Sequence, residues 1–176
     1  MTQRATLVGL LAVASVVAAG VAAAVVARAW MRPAAIEQPV AFSHRSHIEG
    51  EGLECLECHA DAAKSPWAGL PDIRDCYECH KSAQTDDPNE DEAVRTYARE
   101  QRQIPFVQVN RNVGHVYFSH RMHVATADMA CDACHAGYAE REEPTAHPNP
   151  DLHSMRLCMD CHQREGASNE CVVCHK

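Results

Sequence analysis

Five cysteine pairs, each followed directly by a histidine, are the residues of this 176-residue chain whose types and spacing could do chemistry. All ten cysteines lie in this Cys-x-x-Cys-His pattern. Cys-x-x-Cys alone is also typical of a zinc half-site or a redox dithiol, but a histidine in five cases out of five indicates c-type haem attachment. The two cysteines bond the vinyl groups of one porphyrin, and the histidine ligates its iron from one face.

The sequence therefore predicts five covalently attached haem c groups, at sites 1 to 5 in chain order. The ten attachment cysteines are Cys55, Cys58, Cys76, Cys79, Cys131, Cys134, Cys158, Cys161, Cys171 and Cys174. The five proximal histidines are His59, His80, His135, His162 and His175.

Each haem iron has a second axial position, and seven histidines outside the attachment motifs are available for it. Four belong to two copies of Phe-Ser-His-x-x-His, in which the two imidazoles lie on the same side of one helical turn and can reach two different haems. One more histidine comes shortly before the second copy. The expected distal ligands are His44, His47, His115, His120 and His123.

Three other residues compete for the distal positions. His147 and His153 lie within or beside a proline-rich stretch, and either could instead be a surface residue. Met155 precedes Cys158 by three residues, and a thioether ligand would raise the reduction potential of that haem, although the side chain could equally pack on a porphyrin. Because the supply of ligands saturates five irons, we expect an electron-transfer protein without substrate turnover of its own.

An internal repeat organises the elements that must position these ligands. Residues 40–59 and 116–135 align without a gap at an offset of 76, with nine of twenty positions identical. Each copy continues to a second attachment motif, so two dihaem modules are expected in tandem, a first module at 36–84 and a second module at 110–163. The fifth motif begins 13 residues after the fourth and predicts a closely coupled haem within 164–176.

The segment between the modules, residues 85–109, is predicted to be a linker with one helix. Asp87 is a candidate cap, Pro88 would be the first helical residue, and 88–103 has the composition of a charged surface helix. Its acidic start, residues 86–92, is either a solvated linker, which we favour, or a docking face for a basic electron partner. Residues 104–109 form a short apolar connector.

The N-terminus predicts a membrane helix. Residues 5–27 carry no charge and would span about 35 Å as a helix, enough to cross the hydrocarbon core of a bilayer. A cleaved signal peptide is the alternative, but its apolar stretch is usually about 7 to 15 residues. Haem is attached to cysteine outside the bacterial inner membrane, so we expect a single-pass anchor at 1–32 and a periplasmic pentahaem domain at 33–176.

Composition fits a fold whose core is haem. Aromatic residues make up 5% of the chain, and few large apolar residues remain after position 32 to fill a conventional core. The expected fold class is mainly α and irregular, with little regular secondary structure and one preceding transmembrane helix. After residue 32 there are 13 basic and 24 acidic residues, a net charge of −11, which makes nucleic acid an implausible partner.

The motifs resemble a known family. The run from Pro39 to His47, the Ala-Gly-Leu-Pro at 68–71, the segment from His115 to Val124 and the Met155 to His162 region are similar to class III (cytochrome c3/c7-type) multihaem cytochromes. They are most similar to the membrane-anchored pentahaem subunit of alternative complex III. That resemblance implies polytopic quinol-oxidising subunits and an iron–sulfur/molybdopterin-type subunit as partners. It also implies a periplasmic monohaem cytochrome or a terminal oxidase as electron acceptor.

Three functional alternatives accompany this reading. The chain could be a stand-alone tethered periplasmic shuttle, which would purify in mild detergent without polytopic companions. It could be a multihaem reductase of small oxyanions, but no lysine-ligated motif and no shortage of distal ligands is visible. It could be a quinol dehydrogenase of the NapC/NrfH type, but Asp61 occupies the position of the usual methionine after the first haem-binding histidine.

Overall fold

The structure is a computed structural model that describes residues 2–30, 34–84 and 88–176. The chain divides into two compact units, Met1–Ala35 and Ile36–Lys176. Within the described residues there are only helices, turns and irregular segments, apart from one isolated antiparallel bridge between Val116 and His175. The expectation of a mainly α and irregular fold is therefore confirmed.

The first unit consists of helix α1, Thr2–Trp30. Its part from Gly9 to Trp30 is long and apolar enough to cross a membrane, by length and composition, and a signal sequence near the N-terminus would pass the same test. The helix extends beyond the expected span at both ends. Arg32 lies outside the described residues.

The second unit has six short α-helices among its described residues. Five of them carry attachment motifs, and the sixth lies between the two modules. In chain order they are α2 (Cys55–Cys58), α3 (Ile73–Cys79), α4 (Pro88–Arg99), α5 (Asp132–His135), α6 (Met155–Glu165) and α7 (Cys171–Cys174). A 3-10 turn covers Ala60–Ala63, and two π-helical turns cover Ser46–Gly50 and Met122–Thr126.

The two π-helical turns occupy matching places in the repeat, and each begins two residues after the first histidine of a Phe-Ser-His-x-x-His segment. In the first, backbone N–H groups of Glu51 and Gly52 donate to carbonyls of the turn, which closes it. In the second, the Ala127 N–H donates to the Met122 carbonyl. The sequence repeat is therefore a structural repeat in these segments.

Hydrophobic side chains form a very small core. Among the described residues, only Ala62, Ile73 and Val94 are buried hydrophobics, whereas residues such as Trp67, Leu70 and Val172 are exposed. Side chains alone do not fill the interior of this domain. This agrees with the compositional expectation that large apolar groups other than side chains are needed.

Helix α4 differs from the expected surface helix in two respects. It ends at Arg99 and not at 103, because Gln101 adopts a left-handed backbone (φ 52°) and the Arg102 N–H donates back to the Tyr97 carbonyl, which closes the C-terminus. One face of the helix is buried, since Asp91 and Val94 have almost no exposed surface and α4 packs against α3. Pro88 begins the helix as expected, while Asp87 lies outside the described residues.

Candidate haem-binding sites

All five attachment motifs lie on short helical segments. In α2 and α7 the two cysteines are the first and last residues of one turn, and α3 and α6 carry the pairs of sites 2 and 4 within longer helices. Positions i and i+3 of a helix share a face, so each pair of thiols can meet one flat group. None of the ten cysteines is in a disulfide.

Capping residues position the two longer helices. Asp72 accepts a hydrogen bond from the Arg74 N–H at the start of α3 and forms a capping box with Asp75. Ser154 accepts from the Leu157 N–H at the start of α6. Both helices therefore begin at a fixed residue, which sets where their cysteines and histidines point.

Imidazole rings face one another in four pairs, and each pair joins one attachment-motif histidine to one of the expected distal histidines. Ring centres are 5.3 to 6.4 Å apart and ring planes are inclined by 11 to 34°. The four pairs are His47–His80 (6.0 Å), His120–His135 (6.4 Å), His123–His162 (6.2 Å) and His115–His175 (5.3 Å).

These separations fit two axial ligands of one metal ion. Two imidazoles that bind one ion from opposite faces, each through a bond of about 2 Å, place their ring centres about 6 Å apart. Three pairs match this spacing, and the pair of His115 and His175 is closer than the others. The residues present therefore fit haem irons at sites 2, 3 and 4, and His115 and His175 are the candidate pair at site 5.

Site 1 lacks such a ring pair, but the repeat and the electrostatics both point to His44 as the partner of His59. In the second module the first histidine of the Phe-Ser-His-x-x-His segment faces the first attachment motif, and His44 is its counterpart in the first module. Burial lowers the pKa of His44, and the nearby His59 lowers it further. The two imidazoles are therefore neighbours.

Hydrogen bonds at the Nδ1 atoms of these histidines define which ring nitrogen is free for a metal. The Nδ1 atom lies 2.7 to 3.0 Å from a backbone carbonyl oxygen in His47, His59, His120, His123 and His162. A carbonyl can only accept, so Nδ1 carries the proton and donates. The lone pair is then on Nε2, which is the tautomer that an iron requires.

A phenylalanine holds the two histidines of each repeated segment. The ring of Phe42 meets His44 edge-on at 4.9 Å and stacks on His47 at 4.4 Å. Packing against one aromatic ring fixes the orientation of both imidazoles at once. The Phe in Phe-Ser-His-x-x-His is therefore part of the site, although sequence analysis assigned a role only to its histidines.

Gly69 supplies the carbonyl oxygen that accepts from His59 Nδ1, at 2.8 Å. Its φ of 71° lies in the left-handed region, and a Cβ at this position would be 2.9 Å from Asp61 Oδ2. Both observations require glycine here. The sequence signal was present in the Ala-Gly-Leu-Pro run, which carried the family resemblance without a role for the glycine.

His80 differs from the other histidines because its Nδ1 donates to a carboxylate, that of Asp91. Asp91 is 2% exposed and lies on α4, and its other oxygen accepts the backbone N–H of Gln84 at 2.5 Å. The sequence predicts no role in the site for this residue. Its position eleven residues after the histidine, within an acidic run, gave no signal beyond charge.

The three alternative distal ligands lie outside the facing pairs. His147 is exposed, and Met155 is 64% exposed at the first position of α6. The Nδ1 atom of His153 hydrogen-bonds to Asn112 Oδ1 at 2.6 Å, and its Nε2 is buried without a hydrogen-bond partner. His153 also lowers the pKa of His135, although less than burial and the neighbouring His120 and His59 do. His153 therefore stays an alternative distal ligand.

Comparisons with known proteins agree with this arrangement. Residues 21–104 match the class III cytochrome C family, and residues 116–176 match the family of cytochrome c7 and related cytochrome c. Over 162 residues the chain is 30% identical to the menaquinone reductase, multiheme cytochrome c subunit, of Nitratidesulfovibrio vulgaris. The match covers 80% of this chain and 77% of that relative. The two family matches each include one Phe-Ser-His-x-x-His segment.

Proposed function

Because the chain belongs to the class III/c7-type multihaem cytochrome c family, whose members carry covalent haem c and transfer electrons, we propose that it is the pentahaem electron-transfer subunit of a quinone-linked membrane complex. The observation that supports this most is the set of facing histidine pairs, which provide two nitrogen ligands per iron. Helix α1 would anchor the subunit in the bacterial inner membrane, with the haem domain in the periplasm.

The chain's own residues hold and tune the haems, whose iron supplies one-electron redox chemistry when bound. Each attachment helix presents two thiols and one imidazole, and the facing distal imidazole closes the opposite side. Histidines bound on both faces of each iron would leave no position open for a substrate. The protein therefore acts as a conduit and not as a reductase.

The contacts between sites support a linear order that begins at site 2. Sites 1 and 2 share the segment of His44 and His47, and burial together with the neighbouring Cys58 thiol raises the pKa of Cys76. Sites 1 and 3 meet at Cys55 and Cys131, whose side chains interact with each other. This interaction, together with burial, raises the pKa of the Cys131 thiol. The order thus begins 2, 1, 3.

A tyrosine also joins sites 1 and 3. The ring of Tyr138 contacts His44 edge-on at 6.2 Å and His135 edge-on at 5.2 Å. Its hydroxyl accepts a hydrogen bond from Asn110 at 3.2 Å, which fixes the ring. The passage from the first module to the second therefore runs between these two sites.

The second half of the order ends at site 5. Sites 3 and 4 share the segment of His120 and His123. The pKa of the Cys134 thiol is raised by burial and by the thiols of site 4, and that of Cys158 is raised by burial and by Cys174 of site 5. The proposed order is 2, 1, 3, 4, 5, with sites 2 and 5 at the ends and available to partners.

Two partner sets are compatible with such a conduit. The resemblance to alternative complex III favours quinol-oxidising polytopic subunits and an iron–sulfur/molybdopterin-type subunit, with electrons leaving to a periplasmic monohaem cytochrome or a terminal oxidase. The relative's name, menaquinone reductase, favours the opposite direction, from a periplasmic donor to the quinone. In either direction, the proposed conduit lies between a quinone site in the membrane and a second redox partner.

Purification of the tagged full-length chain in mild detergent tests the proposal. We expect polytopic subunits to copurify, and we expect α1 to be present in the intact mass together with five haem additions. Rapid haem reduction by a menaquinol analogue would support the quinol-oxidising direction, and rapid reoxidation of reduced haem by the menaquinone analogue would support the other. A chain that elutes alone, or as a soluble form lacking α1, would contradict membership in a membrane complex.

A further inference from the structure

Helix α4 is attached to the first module through a buried contact. Val94 on α4 and Ile73 on α3 are both buried, and the two helices pack together. Helix α3 carries the attachment cysteines of site 2 and ends at Cys79, directly before His80. The segment between the modules is therefore part of site 2, not only a linker.

Asp91 reaches His80 from this helix. It accepts the Nδ1–H of His80 on one oxygen and the N–H of Gln84 on the other, so two donors hold the carboxylate in place. The side chain is 2% exposed, which keeps water from competing for the imidazole. The ring of His80 in turn faces that of His47 across site 2, with the ring centres 6.0 Å apart.

The corresponding histidine of the second module has a neutral partner. His162 Nδ1 donates to the Ser168 backbone carbonyl at 2.8 Å. Among the described residues, each other histidine whose Nδ1 partner is known bonds to a backbone carbonyl or, in the case of His153, to an amide oxygen. Site 2 thus has a full negative charge where sites 1, 3 and 4 have the dipole of a backbone carbonyl.

We propose that Asp91 is a positioning residue that makes site 2 the lowest-potential haem of the chain. The inference rests on the proposed ligation of site 2 by His47 and His80. Ferric haem carries one more positive charge than ferrous haem, so a buried carboxylate favours the ferric form. A hydrogen bond to a carboxylate also makes the imidazole a more basic ligand, which acts in the same direction.

The position of site 2 gives this tuning a role. In the proposed order it is a terminal site, at the opposite end from site 5. A terminal haem with the lowest reduction potential gives up its electrons readily, which favours their transfer to the sites in the interior of the proposed order. Asp91 would thereby help to define the end at which a low-potential partner delivers electrons.

The test is the Asp91→Asn change in the full-length haem-loaded protein, followed by spectroelectrochemical titration. Asparagine has the same shape and can still accept a hydrogen bond, but it has no charge. We expect the lowest-potential wave to move upward so that the ferric-to-ferrous ratio of that haem at a fixed potential falls at least tenfold, about 59 mV for one electron. The other four waves should keep their potentials to within a small fraction of that shift.

Glu92→Gln is the matched control. It removes one negative charge from the next residue of the same helix, but Glu92 is half-exposed and bonds to Arg95 and Arg99, not to a histidine. We expect no wave to move as far as in Asp91→Asn. An equal shift in both variants would show a general charge effect and would overturn the proposal.

A second variant keeps the test decisive if Asp91→Asn does not assemble. His47→Met replaces the distal ligand of site 2 and should raise the potential of that haem alone, so it identifies which wild-type wave belongs to site 2. The proposal requires this to be the lowest wave, and any other wave would overturn it. An unchanged lowest wave in Asp91→Asn with five low-spin haems would overturn it as well. Haem count and spin state, recorded on the same samples, show separately whether the proposed ligation itself has failed.

Discussion

Phe118 meets His120 at 4.9 Å and His123 at 4.6 Å in the second module, and Phe42 meets His44 at 4.9 Å and His47 at 4.4 Å in the first. The edge-on rings are inclined by 88° in both modules, and the stacked rings by 24° and 25°. The two distal-ligand segments are thus copies in structure as well as in sequence.

The modules also hold one another through matching hydrogen bonds. The Arg45 N–H donates to the Arg141 carbonyl at 2.9 Å, and the Arg121 N–H donates to the Ser65 carbonyl at 3.0 Å. Donors and acceptors are both 76 positions apart, which is the offset of the repeat. Each distal-ligand segment therefore rests on the loop that follows the first attachment motif of the other module.

The modules diverge after their second attachment motif. In the second module α6 continues beyond His162 to Glu165 and is capped by Gly166, which has a left-handed backbone. In the first module α3 ends at Cys79, and α4 then packs against it and supplies Asp91. Duplication preserved the ligand geometry, and the segment that follows each copy supplied a different partner for the proximal histidine. Potentials can therefore differ between sites whose ligands are the same.

Removal of a distal ligand is the change with the largest expected effect, and it should have the same effect on haem spin state in both modules. We expect His47→Ala and His123→Ala each to convert one low-spin haem to high-spin and to open one iron to carbon monoxide, because each histidine faces one motif histidine. EPR and optical spectra of the purified variants check this. Ser46→Ala and Met122→Ala, the exposed residues immediately before each ligand, are matched controls that should keep all haems low-spin.

The loop after the first attachment motif contains one glycine with a left-handed backbone in each module, and the surroundings of the two glycines differ. Gly69→Ala and Gly137→Ala should both lower the free energy of unfolding, by about 1–2 kcal/mol for the unfavourable backbone alone. Gly69→Ala should cost more, since its Cβ would approach Asp61, whereas no atom lies within 4 Å of a Cβ at Gly137. Denaturant unfolding measures the difference, and Asp61→Ala in the Gly69→Ala background should reduce it. Equal losses at both glycines would contradict the close approach.

The candidate ligands could be named from sequence because each motif is local, but their pairing could not, because the facing histidines lie far apart in the chain. Cys-x-x-Cys-His lies on one turn, and the spacing of His120 and His123 already indicated two different haems. The role of Asp91 could not be predicted, because it depends on how α4 packs against α3 and an acidic residue in a charged run resembles a solvated one. The exposure of Met155 likewise follows from where α6 begins, which the spacing to Cys158 does not reveal.

The caps of the two longer attachment helices differ in chemistry, and the serine cap has the more modest expected effect. Ser154→Ala removes the acceptor for the Leu157 N–H and should lower the free energy of unfolding by about 1 kcal/mol. The loss should be the same at all pH values between 2 and 7, because serine does not titrate there. A Ser154→Asp variant should restore the stability at neutral pH.

The aspartate cap of α3 should give the smallest effect, and one that depends on pH. Hydrogen bonds from Arg74 lower the pKa of Asp72 to about 2. The folded pKa is below the unfolded value of about 3.9, so the contribution of Asp72 is full above pH 4 and disappears as the pH falls through 2. Asp72→Asn should therefore flatten the pH dependence of unfolding between pH 4 and 2, whereas Ser154→Ala should not. A parallel pH profile for wild type and Asp72→Asn would contradict this.

Low-temperature EPR of the fully oxidised full-length protein, with haem counted per polypeptide, tests most directly that paired histidines fill every iron. Facing pairs at four sites, with His44 beside His59 at the fifth, predict five low-spin ferric haems and no high-spin signal. A high-spin signal equal to one haem or more, or fewer than five haems per chain, would contradict the account.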